Sequence, residues 1–242
     1  MAEGLAAWVL EAPDGFGDAG FHTHHAIQLT LSFAGHLALT SGDETLTARG
    51  IAVATDTRHR IEADGLVGFI FVEPEGPAGR ALSETLLRGR PLAAIEDGAF
   101  ARAAEPLRAA IEAPLSQAEM LAIARSAVAE LAGETAPTLP DDRVRRVIAH
   151  ALTHPDLSLD EAAAGAGVFL SPSRLRHLFV EQTGLAFKTY MLWQRLIRAL
   201  EAYAVGQSLT EAAHHAGFSD SAHFSRAFRR CFGLPATTLT RL

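Results

Sequence analysis

SLDEAAAGAGVFLSPSRLRHLFVEQTGL, residues 158–185, returns about fifty positions later as SLTEAAHHAGFSDSAHFSRAFRRCFGL, residues 208–234. Each copy opens with a short amphipathic stretch. Leu159, Ala162, Ala163 and Ala166 in the first, and Leu209, Ala212, Ala213 and Ala216 in the second, fall on one helical face. Each stretch meets a glycine, Gly167 or Gly217. A second helix follows, with Leu175, Leu178, Phe179 and Gln182, or Phe224, Ala227, Phe228 and Cys231, at the same spacing, closed by Gly184 or Gly233. The pattern predicts two helix-turn-helix units.

Glycine at the turn lets the chain take the positive φ that a sharp reversal requires. Ser171 before Pro172 reads as an N-cap with proline at the first helical position, and Ser219 or Asp220 caps the equivalent helix. The apolar stripe seats the second helices, and the opposite face decides what they meet. That face carries Ser173, Arg174, Arg176, His177 and Val180 on the first, and Ala222, His223, Ser225, Arg226, Arg229 and Arg230 on the second. Short or basic donors of this kind reach base edges and phosphates in a major groove, where Arg pairs bidentately with guanine. An ordinary solvated face would mix signs, and only Glu181 interrupts the basic run.

Between the copies, AFKTYMLWQRLIRALEAYAVG (186–206) places Tyr190, Trp193, Ile197 and Leu200 at helical spacing. A connecting helix of about 18 residues spans roughly 27 Å, near the roughly 34 Å between successive major-groove faces. LSPSRLRHLFVEQTG, RLIRALEAY and LTEAAHHAGFSDSAHFSRAFRRCFG together resemble the DNA-binding domain of the AraC/XylS family of bacterial transcription regulators. The resemblance covers the last hundred residues or so. It implies a base-reading face of Ser173, Arg176 and His177 on the first recognition helix, and of Ala222, His223, Ser225 and Arg226 on the second. Ala222 offers methyl contact alone. The chain departs from the family in having Pro235 two positions after Gly233 rather than three.

Charge divides at the same place. Residues 143–242 hold 12 Lys+Arg against 7 Asp+Glu, net +5, whereas residues 1–142 hold 9 against 21, net −12. A basic end on an acidic body fits one end meeting phosphate. No apolar run of about 18 residues predicts a membrane span, and the first residues lack the basic-then-hydrophobic pattern of a signal peptide, so a cytoplasmic location and no membrane partner are expected. The single cysteine, Cys231, excludes an internal disulfide and reads as a small core residue.

The first half alternates in short runs (FHTHHAIQLTLSF, HLALTSG, DETLTARGIAVATD, RHRIEAD, GLVGFIFVEPEG) broken by Gly, Asp and Pro. An antiparallel β-barrel or sandwich follows from that pattern, expected over residues 5–75. From Ala78 the periodicity turns helical, through Leu82, Leu86 and Leu87 and then Phe100 to Leu131. GETAPTLPDD (133–142) reads as a linker. The expected fold is therefore α+β: a sensing and dimerisation domain over 1–132, the linker, and an all-α tandem helix-turn-helix domain over 143–242. Beside the C-terminal resemblance, the first half is similar to the cupin-like sensor barrel of AraC/XylS members, which implies a small-molecule effector in the barrel mouth and helices that pair a homodimer.

Histidines crowd this half, at positions 22, 24, 25, 36 and 59. On a strand His22 and His24 face one way and His25 the other. HTHHAIQLTLSFAG resembles the first cupin motif, with Gln28 where metal-binding members carry Glu, and His59 resembles the histidine of the second, whose PxG is replaced by DTR. His22, His24, Gln28 and His59 thus form either a site for a divalent ion such as zinc, nickel or manganese, an effector pocket, or a pH-responsive cluster. Two functions are in view. One is a ligand-responsive regulator that binds promoter DNA and recruits RNA polymerase as an activator. The other is a metal-dependent cupin enzyme fused to a DNA-binding end. Gln28 in place of the metal carboxylate, and the absence of nucleophile-elbow, phosphate-loop or paired-cysteine motifs, favour the regulator, a non-enzyme.

Overall fold

Along residues 65–72, Val67, Phe69 and Phe71 alternate with Gly68, Ile70 and Val72, and every one of these is buried. A strand buried on both faces needs cover on both. The computed structural model, which describes residues 5–12, 14–15, 19–111, 113, 116–133 and 141–238, shows what provides it. The strands are β1 (Leu5–Ala12), β2 (Ile27–Ser32), β3 (Leu37–Ser41), β4 (Glu44–Thr47), β5 (Gly50–Val53), β6 (Arg60–Ala63), β7 (Gly65–Val72) and β8 (Leu92–Ala94). They make two antiparallel sheets, in the orders β1-β7-β2-β5-β8 and β4-β3-β6. Leu37, Leu39 and Ile61 of the small sheet and Leu10, Val53, Val67, Phe69 and Phe71 of the large one share a core.

Behind the large sheet lie α1 (Pro77–Leu82), α2 (Asp97–Ile111) and α3 (Gln117–Ala132). Leu29, Leu31, Ile70 and Val72 bury their outward side chains against Leu82, Phe100, Leu107 and Val128 of these helices. Consequently β2 has apolar residues on its outer face, and Gln28, Thr30 and Ser32 are enclosed on the inner one.

The barrel does not end at residue 75 as its alternation predicts. After α1, a π-helical turn at Ser83–Leu87 and left-handed Arg88 (φ 51) turn the chain back, and β8 joins the large sheet with Ile51 opposite Ala94. Three residues are too few for periodicity to register. The histidine segment differs too. His22 pairs with His59 as an isolated bridge, and the regular strand begins only at Ile27.

The second half is helical: α4 (Asp142–Thr153), α5 (Leu159–Gly165), α6 (Pro172–Thr183), α7 (Phe187–Ala204), α8 (Leu209–His215) and α9 (Ser221–Phe232). Most of the expected linker, residues 134–140, lies outside the described residues. The lobe of α4, α5, α6 and the first half of α7 has its own core, with Val147, Leu178, Phe179 and Tyr190 inside it. The lobe of α8, α9 and the second half of α7 does not. Trp193, Leu196, Phe224, Phe228 and Phe232 belong to the same buried cluster as the barrel interior. Phe232 sits 5.3 Å from Trp8, 5.2 Å from Phe71 and 5.8 Å from Trp193, ring centre to ring centre. Helix α9 thus closes one end of the barrel. Among the described residues no helix is long and apolar enough to cross a membrane.

Candidate nucleic-acid interface

The duplication read from sequence is a duplication of hydrogen bonds. Ser158 and Glu161 form a reciprocal capping box at the start of α5, and Ser208 and Glu211 repeat it at α8. At the ends of these helices Gly167 and Gly217 take φ of +67 and +84. Val168 N–H then donates to Ala163 O at 2.8 Å, and Phe218 N–H to Ala213 O at 2.9 Å. Both side chains turn inward. This arrangement satisfies the last carbonyls of each helix and launches the next helix at a fixed angle. Ser171 caps α6 through Arg174 N–H at 3.3 Å, with Pro172 beginning the helix. Of the two candidates for α9 it is Asp220 that caps, accepting from His223 N–H at 2.6 Å.

With their stripes buried, α6 and α9 leave the expected faces outward. Ser173, Arg174, Arg176 and His177 are exposed on α6, as are Ala222, Ser225, Arg226, Arg229 and Arg230 on α9. His223 is half-buried, its ring edge-on to Phe218 at 5.3 Å. Arg176 reaches toward Asp160 at a loose 4.0 Å, an exposed pairing worth little. Helix α7 runs 18 residues between the units. Its Tyr190 and Trp193 are buried, as a core role requires. Gln182, placed on the inward stripe by spacing, is half-buried and accepts from Asp141 N–H at 2.9 Å, tying α6 to the start of α4. Cys231 is half-buried against the core.

The barrel histidines gather where this half docks. His22, His24 and His59 are buried, and each offers a ring nitrogen within 4.8 Å of the others. Each Nδ1 lies near a backbone carbonyl: Gly20 O at 3.0 Å, Ala26 O at 2.9 Å and Thr57 O at 2.9 Å. Gln28 holds Oε1 2.8 Å from His24 Nε2, its amide nitrogen donating to Thr30 Oγ1. Burial depresses all three imidazoles, that of His24 to about 4 and that of His59 to about 2, so they are neutral. His36 is exposed and stands apart.

A second polar group on the same seam escaped the sequence reading. Glu73 and Glu75, at the end of β7, meet α7. Gln194 donates to Glu73, and His25 pairs with Glu75 at 3.0 Å, both partners buried. VEPEG reads only as a strand ending, because the partner Gln194 lies 121 residues away. Burial, with Glu75 adding repulsion, pushes the Glu73 carboxyl up to about 7 from its ordinary 4.5. The folded protein therefore holds this proton more tightly than the unfolded chain. No penalty exists below about pH 4.5; it grows through the window up to about 7 and is complete above it. Glu73→Gln should match wild type in thermal midpoint near pH 4.5, exceed it increasingly from there to about pH 7 and keep a steady advantage above that, which differential scanning calorimetry across pH would measure. A constant difference would contradict the buried-carboxyl account.

Comparison with known proteins bears on the helical half. Residues 166–241 match the family described as a helix-turn-helix domain. The arabinose operon regulatory protein of Escherichia coli K12 is 35% identical over 95 residues, which cover 38% of this chain and 32% of that one. The chain thus spans about a third of the length of that curated relative. Among solved structures, ToxT from Vibrio cholerae O395 superposes with a TM-score of 0.60 over 98% of both chains, at 14% identity, a likeness of fold. Unsaturated fatty acid-bound ToxT from strain SCE256 gives 0.51 at 12% identity, over 96% of this chain and 92% of that one.

Proposed function

We propose that this chain, whose residues 166–241 are an AraC-type helix-turn-helix domain, is a sequence-specific DNA-binding transcription regulator governed by a small-molecule effector. The observation that carries the reading is the pair of units that share one capping box at α5 and α8 and whose α6 and α9 faces stay exposed while the chain is docked on its own barrel. Ser173, Arg176 and His177, with Ala222, His223, Ser225 and Arg226, read bases; Arg174 lies on the same DNA-facing side, and Arg229 and Arg230 hold phosphate. Residues 1–132 sense and 143–242 bind promoter DNA. Two copies act together, paired through α2 and α3, and meet RNA polymerase at the promoter.

The effector enters a cavity of about 380 Å³ between β1 and β7, the α2–α3 helices and the end of α7, a size usual for small ligands. Trp8, Phe33, Leu107, Leu121 and Leu200 make it mainly apolar. Among its lining residues no basic side chain occurs, and Glu201 is the one carboxylate, its proton held more tightly because of burial. ToxT has been solved with a fatty acid bound, but here a carboxylate ligand would meet a like charge. A neutral or amine-bearing apolar molecule fits. In a thermal-shift screen apolar amines and alcohols are expected to raise the midpoint and fatty acids to leave it unchanged; a rise with fatty acids alone would overturn this ligand class.

The enzyme reading lacks room for a substrate, since the space beside His22 and Gln28 is about 20 Å³ and is walled by Phe71, Phe228 and Phe232. Selection of bound fragments from sheared genomic DNA by the full chain tests the regulator. Recovery of a shared sequence with two half-sites, lost on joint Arg176→Ala and Arg226→Ala substitution, is the expected result; sequence-independent recovery would refute it.

A further inference from the structure

The duplicated units match in their caps and turn bonds but not in what they show to solvent. After Gly167 and Gly217 the next side chain turns inward in both, Val168 in the first unit and Phe218 in the second. The residue after that differs in kind: Phe169, 86% exposed, stands where the second unit has exposed Ser219. The first turn holds one residue more before its cap. That residue, Leu170, packs against the core of its lobe, whereas Phe169 belongs to none of the buried clusters. Aligned by their apolar stripes, α6 and α9 differ again further along, where Val180, 44% exposed, replaces Arg229.

Four large apolar side chains are exposed among the described residues. Phe21 has the guanidinium groups of Arg58 and Arg60 over its ring, and Val205 lies just past the end of α7. The other two bracket the outward face of α6. Ser173, Arg176 or His177, and Val180 follow at spacings of three and four and so share that face. Phe169 lies in the turn that leads into the N-terminal end of α6, the end of a recognition helix that meets base edges. In the second unit the corresponding Ser219 has its Oγ 3.4 Å from Nδ1 of His223, so this turn position adjoins the reading residues.

The fold has no use for an aromatic ring here. A serine serves in the same turn of the second unit, and a phenylalanine left in water forgoes the gain of burying it. In a major groove the apolar group on a base edge is the C5-methyl of thymine, which phenylalanine and other apolar side chains can cover. We infer that Phe169 and Val180 cover thymine methyl groups, so that the half-site read by α6 carries thymines specified by apolar contact, while α9, with Ser219 and Arg229 at these places, lacks both contacts. The inference rests on the regulator reading and adds two specificity-determining residues to it.

The test uses the full chain and the site recovered by selection, whose α6 half is the one where Arg176→Ala relaxes preference. Deoxyuridine, which lacks only the methyl group, replaces each thymine of that half in turn. Wild-type affinity should fall about fourfold at two positions, the worth of one buried carbon each. Phe169→Ser should bind the intact site about tenfold more weakly and become indifferent to uracil at one of these positions, and Val180→Ser at the other. Because both side chains are exposed, circular dichroism and thermal midpoint should stay close to wild type; should either variant fail to fold, the wild-type response to uracil decides alone. An α6 half-site without thymine, or one whose thymines all tolerate uracil, overturns the inference, as does uracil sensitivity that survives in both variants. Phe169→Ser that binds DNA like wild type but no longer activates transcription overturns it too, and gives the ring to a protein partner. These outcomes leave the regulator reading standing. Wild-type protein that recovers no shared sequence refutes that reading, and the inference with it.

Discussion

Phe232→Ala is expected to lower the unfolding free energy by about 3–5 kcal/mol, the usual cost of deleting a large buried ring. The magnitude belongs at the upper end because the ring has partners from both halves of the chain. It touches Trp8 and Phe71 of the barrel, Trp193 of α7, and Phe228 at 4.6 Å within α9. Neither side can collapse into the gap without leaving the other. Denaturant unfolding followed by tryptophan fluorescence and by far-ultraviolet circular dichroism would measure the loss. Trp8 and Trp193 flank the lesion, so the two probes should report a single shifted transition. A loss below about 1 kcal/mol would mean that the seam contributes little in solution.

Arg226→Ala should weaken binding to the selected DNA site by about 1–3 kcal/mol and relax preference at one base position. The side chain is exposed two turns or less from the Asp220 cap, on the face opposite Phe224 and Phe228. Arg229→Ala is the internal comparison: a phosphate contact weakens all sequences alike and lowers the salt slope by about one. Titrations at several salt concentrations against the selected site and a scrambled duplex separate the two behaviours. If Arg226→Ala weakened both duplexes equally, the base-reading role would be wrong.

The helical half was legible because its determinants are local. Caps, turn glycines and apolar stripes lie within about twelve residues of one another, and the duplication shows each twice. Even there, the choice of Asp220 over Ser219 as cap depended on backbone geometry. In the first half, strand alternation was readable, but β8 was not, since three residues between a π-turn and α2 carry no period. The histidines were visible as a cluster of types. Their convergence was expected from a strand, whereas it comes from a bridge between His22 and His59 followed by an irregular turn. Least legible was the seam. Glu73 with Gln194, and Trp8 with Phe232, join residues more than a hundred positions apart, and no spacing rule connects them.

That the second helix-turn-helix lobe borrows its core from the barrel has a practical consequence for anyone who would cut the chain. A fragment of residues 143–242 prepared for footprinting or crystallisation would bare Trp193, Phe228 and Phe232 to water, a contiguous aromatic patch prone to self-association. Its first lobe would survive excision and its second would aggregate or melt. Deletion phenotypes in such a protein would then report lost solubility before they reported lost recognition.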